Sequence, residues 1–305
     1  CAGAWAQSSG ITVEPRNWWV GMKNPEVQLM LHAKDIAQKT PKADSKGVEV
    51  VDVTRTDNPN YLFVTLKIGN NAKAGDAKII LEDANGGEQT LLYPLQARRK
   101  GSANRQGFCS DDAIYLVMPD RFANSDTTND SVSGLKEKAD RNEPYGRHGG
   151  DIKGVIDHLD YIKGLGMTAL WMTPVLTNDM PQSSYHGYAI TNYYEIDPRL
   201  GTLDDFKTLS AELHKRGMKH IMDMVFNHCG TGHWWMDDLP CKEWLNKWYD
   251  ASGKESFVRS NYRLSIIRDP HAAESDVDLA LKGWFDSTMA DMNLTCPLVK
   301  NYLIQ

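Results

Sequence analysis

Three short stretches of this 305-residue chain concentrate side chains able to do chemistry. In the first, Asn124, Asp126, Asn129 and Asp130 place four side-chain oxygens close together in sequence, and His148-Gly149-Gly150-Asp151 offers further donors. A hard cation such as Ca²⁺ takes about six to eight oxygen ligands, so these residues suit one. The spacing is not that of an EF-hand, which needs a glycine at the sixth position and a glutamate at the twelfth. A solvated, Asx-rich turn explains the same residues, and the loop alone leaves both readings open. The second stretch is Ser184-Tyr185-His186-Gly187-Tyr188. Two phenols and an imidazole around a glycine give a stacking face and hydrogen-bonding groups, as a neutral polyol requires. A purely structural Tyr–His pair reads the same way. The third is Asp223-Met224-Val225-Phe226-Asn227-His228. An aspartate inside an apolar run is costly unless paired, so Asp223 needs a partner. Asn227 and His228 stand at the mouth of the strand that this run predicts.

Other chemistries lack their signatures. The sequence holds no H-E-x-x-H, no G-x-S-x-G and no P-loop. Gly164-Leu165-Gly166 reads as a helix end rather than a phosphate cradle. With 34 basic and 40 acidic residues the net charge is −6, and there is no basic stripe, which argues against a nucleic-acid ligand. Nine Trp and twelve Tyr suit sugar faces and ordinary cores alike. No apolar run is long enough for a transmembrane segment. The five cysteines form no CxxC pair and read as small buried hydrophobes; Cys229 and Cys241 are the one pairing that an oxidising compartment suggests. Ala4-Trp5-Ala6 fits an A-x-A cleavage signal with Gln7 as the mature start, so residues 1–10 read as a targeting remnant. That implies export, with a periplasmic location first and a lipid-anchored Cys1 as the alternative.

These stretches must be positioned by ordered elements. Residues 11–100 read as β: Val27, Leu29 and Leu31 alternate with Gln28, Met30 and His32, and Leu62, Val64, Leu66 and Ile68 with Tyr61, Phe63, Thr65 and Lys67. Asp57-Asn58-Pro59-Asn60, Gly69-Asn70-Asn71 and Asn85-Gly86-Gly87 supply turns, and short strands at this spacing predict an Ig-like β-sandwich. Trp18-Trp19 fits either its core or a sugar-stacking face. Arg98 to Ser102 is a polar linker.

The pattern then changes. Continuous apolar runs at 114–118 and 169–172, and a third at 221–226 interrupted by Asp223, predict strands buried on both faces of a parallel sheet. Ile152, Val155, Ile156, Leu159 and Ile162 share one helical face, and Thr202 with Asp205 predicts a capping box before a stripe of Phe206, Leu209 and Leu213. The βαβαβ order over 101–228 opens both doubly wound sheets and (β/α)8 barrels. The Trp-rich stretch 229–282 reads as an irregular insertion, and 283–305 as a return to the barrel. Without that insertion, the region falls well short of the roughly 250 residues of a whole barrel.

In order, these motifs resemble the α-amylase family of glycoside hydrolases. The strand ending in Asp120-Arg121-Phe122 is similar to the family's first strand, and Gly166 to Pro174 to its second. Tyr185-His186-Gly187-Tyr188 and Asp223 to His228 are similar to two of its site motifs, and Gly201 to Phe206 to the helix start between them. The β domain at the N-terminus is typical of the cyclomaltodextrinase, neopullulanase and maltogenic amylase branch. The resemblance implies that Tyr188 stacks under the glucose ring beside the scissile bond. It has His186 and His228 hydrogen-bond that ring's hydroxyls, and Asp223 orient an arginine next to the nucleophile. It also assigns calcium to Asn124, Asp126, Asn129, Asp130, the backbone of Gly149 and the side chain of Asp151.

The family cleaves α-glucosidic bonds with retention, using two carboxylates about 5 Å apart. Its nucleophile follows strand four and its general acid strand five, so both are expected after Gln305, and this chain alone is expected to be inactive. The implied substrates are cyclodextrins, pullulan or maltooligosaccharides, and the implied further partner is a second copy, as a homodimer through the N-terminal domain. A non-catalytic α-glucan-binding protein on the same barrel is the alternative. A doubly wound domain requires a nucleotide or phosphate signal that the sequence lacks.

Overall fold

The computed structural model describes residues 10–105 and 107–305, so the expected targeting remnant, residues 1–10, lies outside the described residues except for Gly10. The chain forms two compact units.

The first unit runs to Arg105 and includes Asp238–Trp244 and Leu294–Gln305. Its strands are β1 (Thr12–Glu14), β2 (Trp18–Trp19), β3 (Glu26–His32), β4 (Thr40–Ala43), β5 (Val48–Arg55), β6 (Tyr61–Ile68), β7 (Gly75–Glu82) and β8 (Glu88–Gln96). They form two four-stranded sheets, β1-β3-β6-β5 and β2-β8-β7-β4. The alternating residues behave as expected on the inner faces: Val27, Leu29, Leu62, Val64, Ile79 and Leu81 are fully buried between the sheets. Trp18 joins that core.

The outer face of β3 and β6 departs from the alternation. Met30, Tyr61 and Phe63 are buried as well, because the two late segments cover them. Phe63 packs on Trp244 at 6.0 Å between ring centroids. Asp238 accepts hydrogen bonds from the side chains of His32, Asn58 and Asn60. The last helix (Pro297–Ile304) sends the Asn301 amide to Gln28 and the Tyr302 hydroxyl to the buried Glu14 carboxylate. By its contacts that helix groups with the β unit.

The second unit holds the three stretches of chemical interest. Strands β9 (Ile114–Val117), β10 (Ala169–Met172) and β13 (Lys219–Met222) are parallel, in the order β13-β10-β9; the hairpin β11 (Leu176–Thr177) and β12 (Asn192–Ile196) lies between β10 and β13 in sequence. Helices α1 (Ile152–Asp157), α2 (Leu159–Gly164) and α3 (Leu203–Lys215) cover one face, with Val155, Leu159, Ile162, Leu209 and Leu213 buried against Leu170. The single helix predicted over 152–162 is broken at His158, whose Nδ1 is 2.8 Å from the Gly154 carbonyl. The capping box at α3 forms as predicted: Thr202 Oγ1 accepts from Asp205 N, and Asp205 accepts from Thr202 N.

Of the three strands, β10 is buried on both faces, through Ala169 and Leu170, but β9 and β13 are not. Ile114, Leu116 and Met222 are exposed, so helices cover the sheet on one side only. The third strand ends at Met222, before Asp223, rather than running to Phe226. The insertion contains short pieces: β14 (His228–Gly230), β15 (Trp248–Tyr249), β16 (Glu255–Ser256), α4 (Glu274–Lys282) and β17 (Met289–Asp291). Strand β17 pairs antiparallel with β14, His228 facing Asp291.

Candidate functional site

The turn carrying His186 and Tyr188 follows β11, and Asp223 follows β13; together they line one cavity of about 660 Å³. Met224, Phe226, Asn227 and His228 complete its near side, and the insertion adds Ser260, Tyr262 and Phe285. The sequence places all four expected site residues at strand ends, and the fold brings them together.

Tight backbone geometry sets the turn. Gly187 sits at φ +84°, and a Cβ there would lie 2.1 Å from the Pro174 carbonyl oxygen, so only glycine fits. His186 Nδ1 accepts from Tyr188 N at 2.9 Å, which leaves its Nε2 as the proton-bearing nitrogen of the neutral ring. Burial pushes the His186 pKa down and keeps the ring neutral. At the start of the turn, the Glu137 carboxylate accepts from Ser183 N and Ser184 N, at 3.0 and 2.6 Å. Arg147 Nη1 donates to Ser184 Oγ. Arg121 lies 4.0 Å above the Tyr185 ring, a cation–π contact that holds the tyrosine beside His186.

Asp223 finds the partners its position requires. Trp171 Nε1 donates to Asp223 Oδ2 at 3.0 Å, and the Tyr188 hydroxyl donates to the same oxygen at 3.1 Å. Burial first, then the Asp223 charge, raises the Tyr188 phenol to about 12, so it remains a donor at neutral pH. The arginine that the resemblance assigns to Asp223 is not its partner among the described residues.

His228 lines the cavity and also engages the protein. The Tyr188 carbonyl, 3.1 Å from Nε2, can only accept, so Nε2 carries the proton; Asn227 Nδ2 lies 3.1 Å from Nδ1 and donates to it. Burial lowers the His228 pKa to about 4, which fits this neutral tautomer. Both ring nitrogens thus have protein partners, and His228 holds the Tyr188 backbone. Its ring face stacks on Phe285 at 5.2 Å, tilted by 25°. Sequence reasoning missed Phe285 and Tyr262, since a Trp-rich irregular stretch has no period that singles them out.

Asp291, opposite His228, is 3% exposed; burial raises its pKa to about 7, opposed by a hydrogen bond from Asn246 Nδ2.

The cation loop is only partly assembled by its side chains. Asn124 Nδ2 donates to Asp130 Oδ1 at 2.6 Å, and a Cβ on Gly149 would fall 2.6 Å from that same oxygen. Asn124 Oδ1 and Asn129 Oδ1 are buried without a hydrogen-bond partner. Asp151 caps α1 through Gly154 N and also accepts from Ser125 N and Asp126 N. Asp126 Oδ1 is engaged by Thr128 N and Oγ1. Among the described residues, no three His, Cys, Asp or Glu side chains converge to hold a metal. The two orphaned amide oxygens beside Asp130 nonetheless match a cation that accepts neutral oxygen donors.

Comparison with known proteins shows the family. The alpha-amylase catalytic domain matches residues 116–304, and the cyclomaltodextrinase N-terminal domain matches residues 12–99. Neopullulanase 2 of Thermoactinomyces vulgaris is 36% identical over 171 residues, covering 53% of this chain and 28% of that protein. A cyclomaltodextrinase of Thermoanaerobacter pseudethanolicus is 36% identical over 141 residues, 46% of this chain and 24% of the relative. The solved alpha-amylase of Geobacillus thermoleovorans, complexed with acarbose, aligns over 64% of this chain and 36% of its own at 39% identity, with a TM-score of 0.49. The chain thus spans about a quarter of the curated relatives' length. It belongs to the alpha-amylase family and carries a cyclomaltodextrinase-type β domain ahead of the family's catalytic domain.

Proposed function

We propose that the whole protein hydrolyses α-1,4-glucosidic bonds of cyclodextrins, pullulan or maltooligosaccharides with retention, and that this chain supplies the sugar-holding side of its site. The observation that carries the reading is the cavity in which Tyr188, fixed by Asp223 and His228, stands beside a neutral His186 with its Nε2–H available. A ring face next to a neutral donor suits an uncharged polyol. Phe285 and Tyr262 on the insertion add apolar surface to the same cavity.

Retaining cleavage needs a nucleophile and an acid about 5 Å apart. Among the described residues lining the cavity, Asp223 is the one carboxylate, and two protein donors already engage it. The reading therefore places the bond-breaking carboxylates on further residues of the whole protein and expects no turnover from residues 1–305 alone. A calcium ion at Asn124, Asp126, Asn129, Asp130, the Gly149 backbone and Asp151 would stiffen the loop that also carries Glu137. Export to the periplasm and pairing through the β unit complete the proposal; the first rests on the A-x-A signal, the second on the matched N-terminal domain. Among the described residues no helix is long and apolar enough to cross a membrane.

The test is to incubate the whole protein with β-cyclodextrin, pullulan and maltotriose and follow the anomeric protons by NMR. Initial release of the α-anomer supports the proposal. Saturable sugar binding without turnover selects the non-catalytic α-glucan-binding alternative, and neither binding nor turnover rejects both.

A further inference from the structure

We infer that Glu137 is a positioning residue for the turn that presents His186 and Tyr188, an inference that deepens the sugar-site reading and rests on it for its ligand. Glu137 lies on the long loop between β9 and α1, far in sequence from the turn it serves. Ser183 occupies the left-handed region at φ +56°, where a residue with a Cβ is strained. Its N–H and that of Ser184 both point into the Glu137 carboxylate. Charge-assisted bonds of this kind are the stronger class of hydrogen bond.

The surroundings show that this is a built contact. Ser184 is 1% exposed, and Asn178 Nδ2 donates to its carbonyl while Arg147 Nη1 donates to its hydroxyl. Arg199, fully buried and paired with Asp197, donates through Nη1 to the Glu137 carbonyl and so fixes the backbone that carries the carboxylate. The turn is thus clamped at both ends: by Glu137 at Ser183 and Ser184, and by His228 at the Tyr188 carbonyl. Only the first clamp comes from outside the strand-end motifs. It offsets the strain at Ser183, and its loss frees the segment that carries the stacking ring.

The variant E137Q keeps the size of the side chain but turns one carboxylate oxygen into an N–H donor that faces one of the two backbone N–H groups. The experiment uses the whole protein with two readouts: amide hydrogen exchange of a peptide spanning 183–188 without sugar, and calorimetric titration with maltotriose. The inference expects exchange in that peptide to speed up about tenfold, a peptide from α3 to be unchanged, and maltotriose affinity to fall about tenfold, as the loss of one charged hydrogen bond allows. A second variant, E137Q/S183G, places glycine at the strained φ and should recover much of both losses.

Unchanged exchange in E137Q overturns the inference, as does faster exchange with unchanged affinity. If E137Q also lowers the thermal midpoint, the double variant decides: recovery of midpoint and affinity together supports positioning, and recovery of midpoint alone contradicts it. Wild-type protein that fails to bind maltotriose, but whose E137Q variant still exchanges faster at 183–188, rejects the sugar reading and leaves the clamp standing.

Discussion

The Tyr188 hydroxyl donates to Asp223 Oδ2 across 3.1 Å, joining the turn after β11 to the end of β13. Trp171 Nε1, from β10, donates to the same oxygen. One carboxylate thus ties two adjacent strand ends to the ring proposed to lie against the sugar. Tyr188→Phe keeps the ring and removes the bond. It should cost about 1 kcal/mol of stability, a typical net value for one hydrogen bond, and weaken sugar binding about fivefold through loss of ring orientation. Chemical unfolding of wild type and variant, alongside calorimetric titration, measures both.

Gly187→Ala is expected to be far more damaging than its size suggests. The added methyl would meet the Pro174 carbonyl, and φ +84° is itself unfavourable for alanine. A loss on the order of 2–3 kcal/mol should lower the thermal midpoint and abolish detectable binding together. A variant with wild-type midpoint and affinity would show that the turn is free to relax.

The calcium proposal predicts that adding a chelator lowers the thermal midpoint and that restoring Ca²⁺ reverses the loss. Asn129→Ala removes one of the two orphaned amide oxygens and should shrink that response, whether or not the protein is turning over substrate. A midpoint indifferent to both chelator and Ca²⁺ would remove calcium from the account.

Two buried groups make stability depend on pH in opposite directions. His228 has a folded pKa of about 4, below its unfolded value near 6.5. The unfolded chain therefore binds more protons between those values, and stability falls as pH drops through that window, by roughly 3 kcal/mol for a shift of this size. Asp291 has a folded pKa of about 7, above its unfolded value of 3.8. Its contribution is full below that unfolded value and is lost as pH rises through about 7. Asp291→Asn should remove the second term, giving a protein more stable at pH 8 and a steeper rise of stability from pH 4 to 7. Denaturant melts across that range test the sign; a variant less stable at pH 8 would mean that the Asp291 charge is favourable in the fold.

What the sequence makes legible is what short-range rules encode. Thr202 and Asp205 announce their capping box because both partners lie within one helical turn. Asp223 announces a buried partner because a charge in an apolar run requires one, although its actual donors, Trp171 and Tyr188, lie far away in sequence. The cavity's outer wall was not legible: Phe285 and Tyr262 sit in a stretch with neither a period of two nor one of 3.6. Glu137 looks like an ordinary loop acid until the fold places it under Ser183. The final helix shows a related limit: Tyr302 and Asn301 find partners on β1 and β3, contacts that only tertiary structure reveals. His228 was placed correctly, yet its role depends on which ring nitrogen the Tyr188 carbonyl engages, and no spacing rule encodes that.

The central claim is that an α-glucan is held at Tyr188 and His186. Calorimetric titration of maltotriose into the whole protein and into its Tyr188→Ala variant tests it most directly. The account predicts saturable binding to the wild type and an affinity at least about tenfold weaker in the variant, whose ring face is gone, measured well below the thermal midpoint that loss of the Asp223 bond lowers. Equal affinity in a folded variant would contradict it.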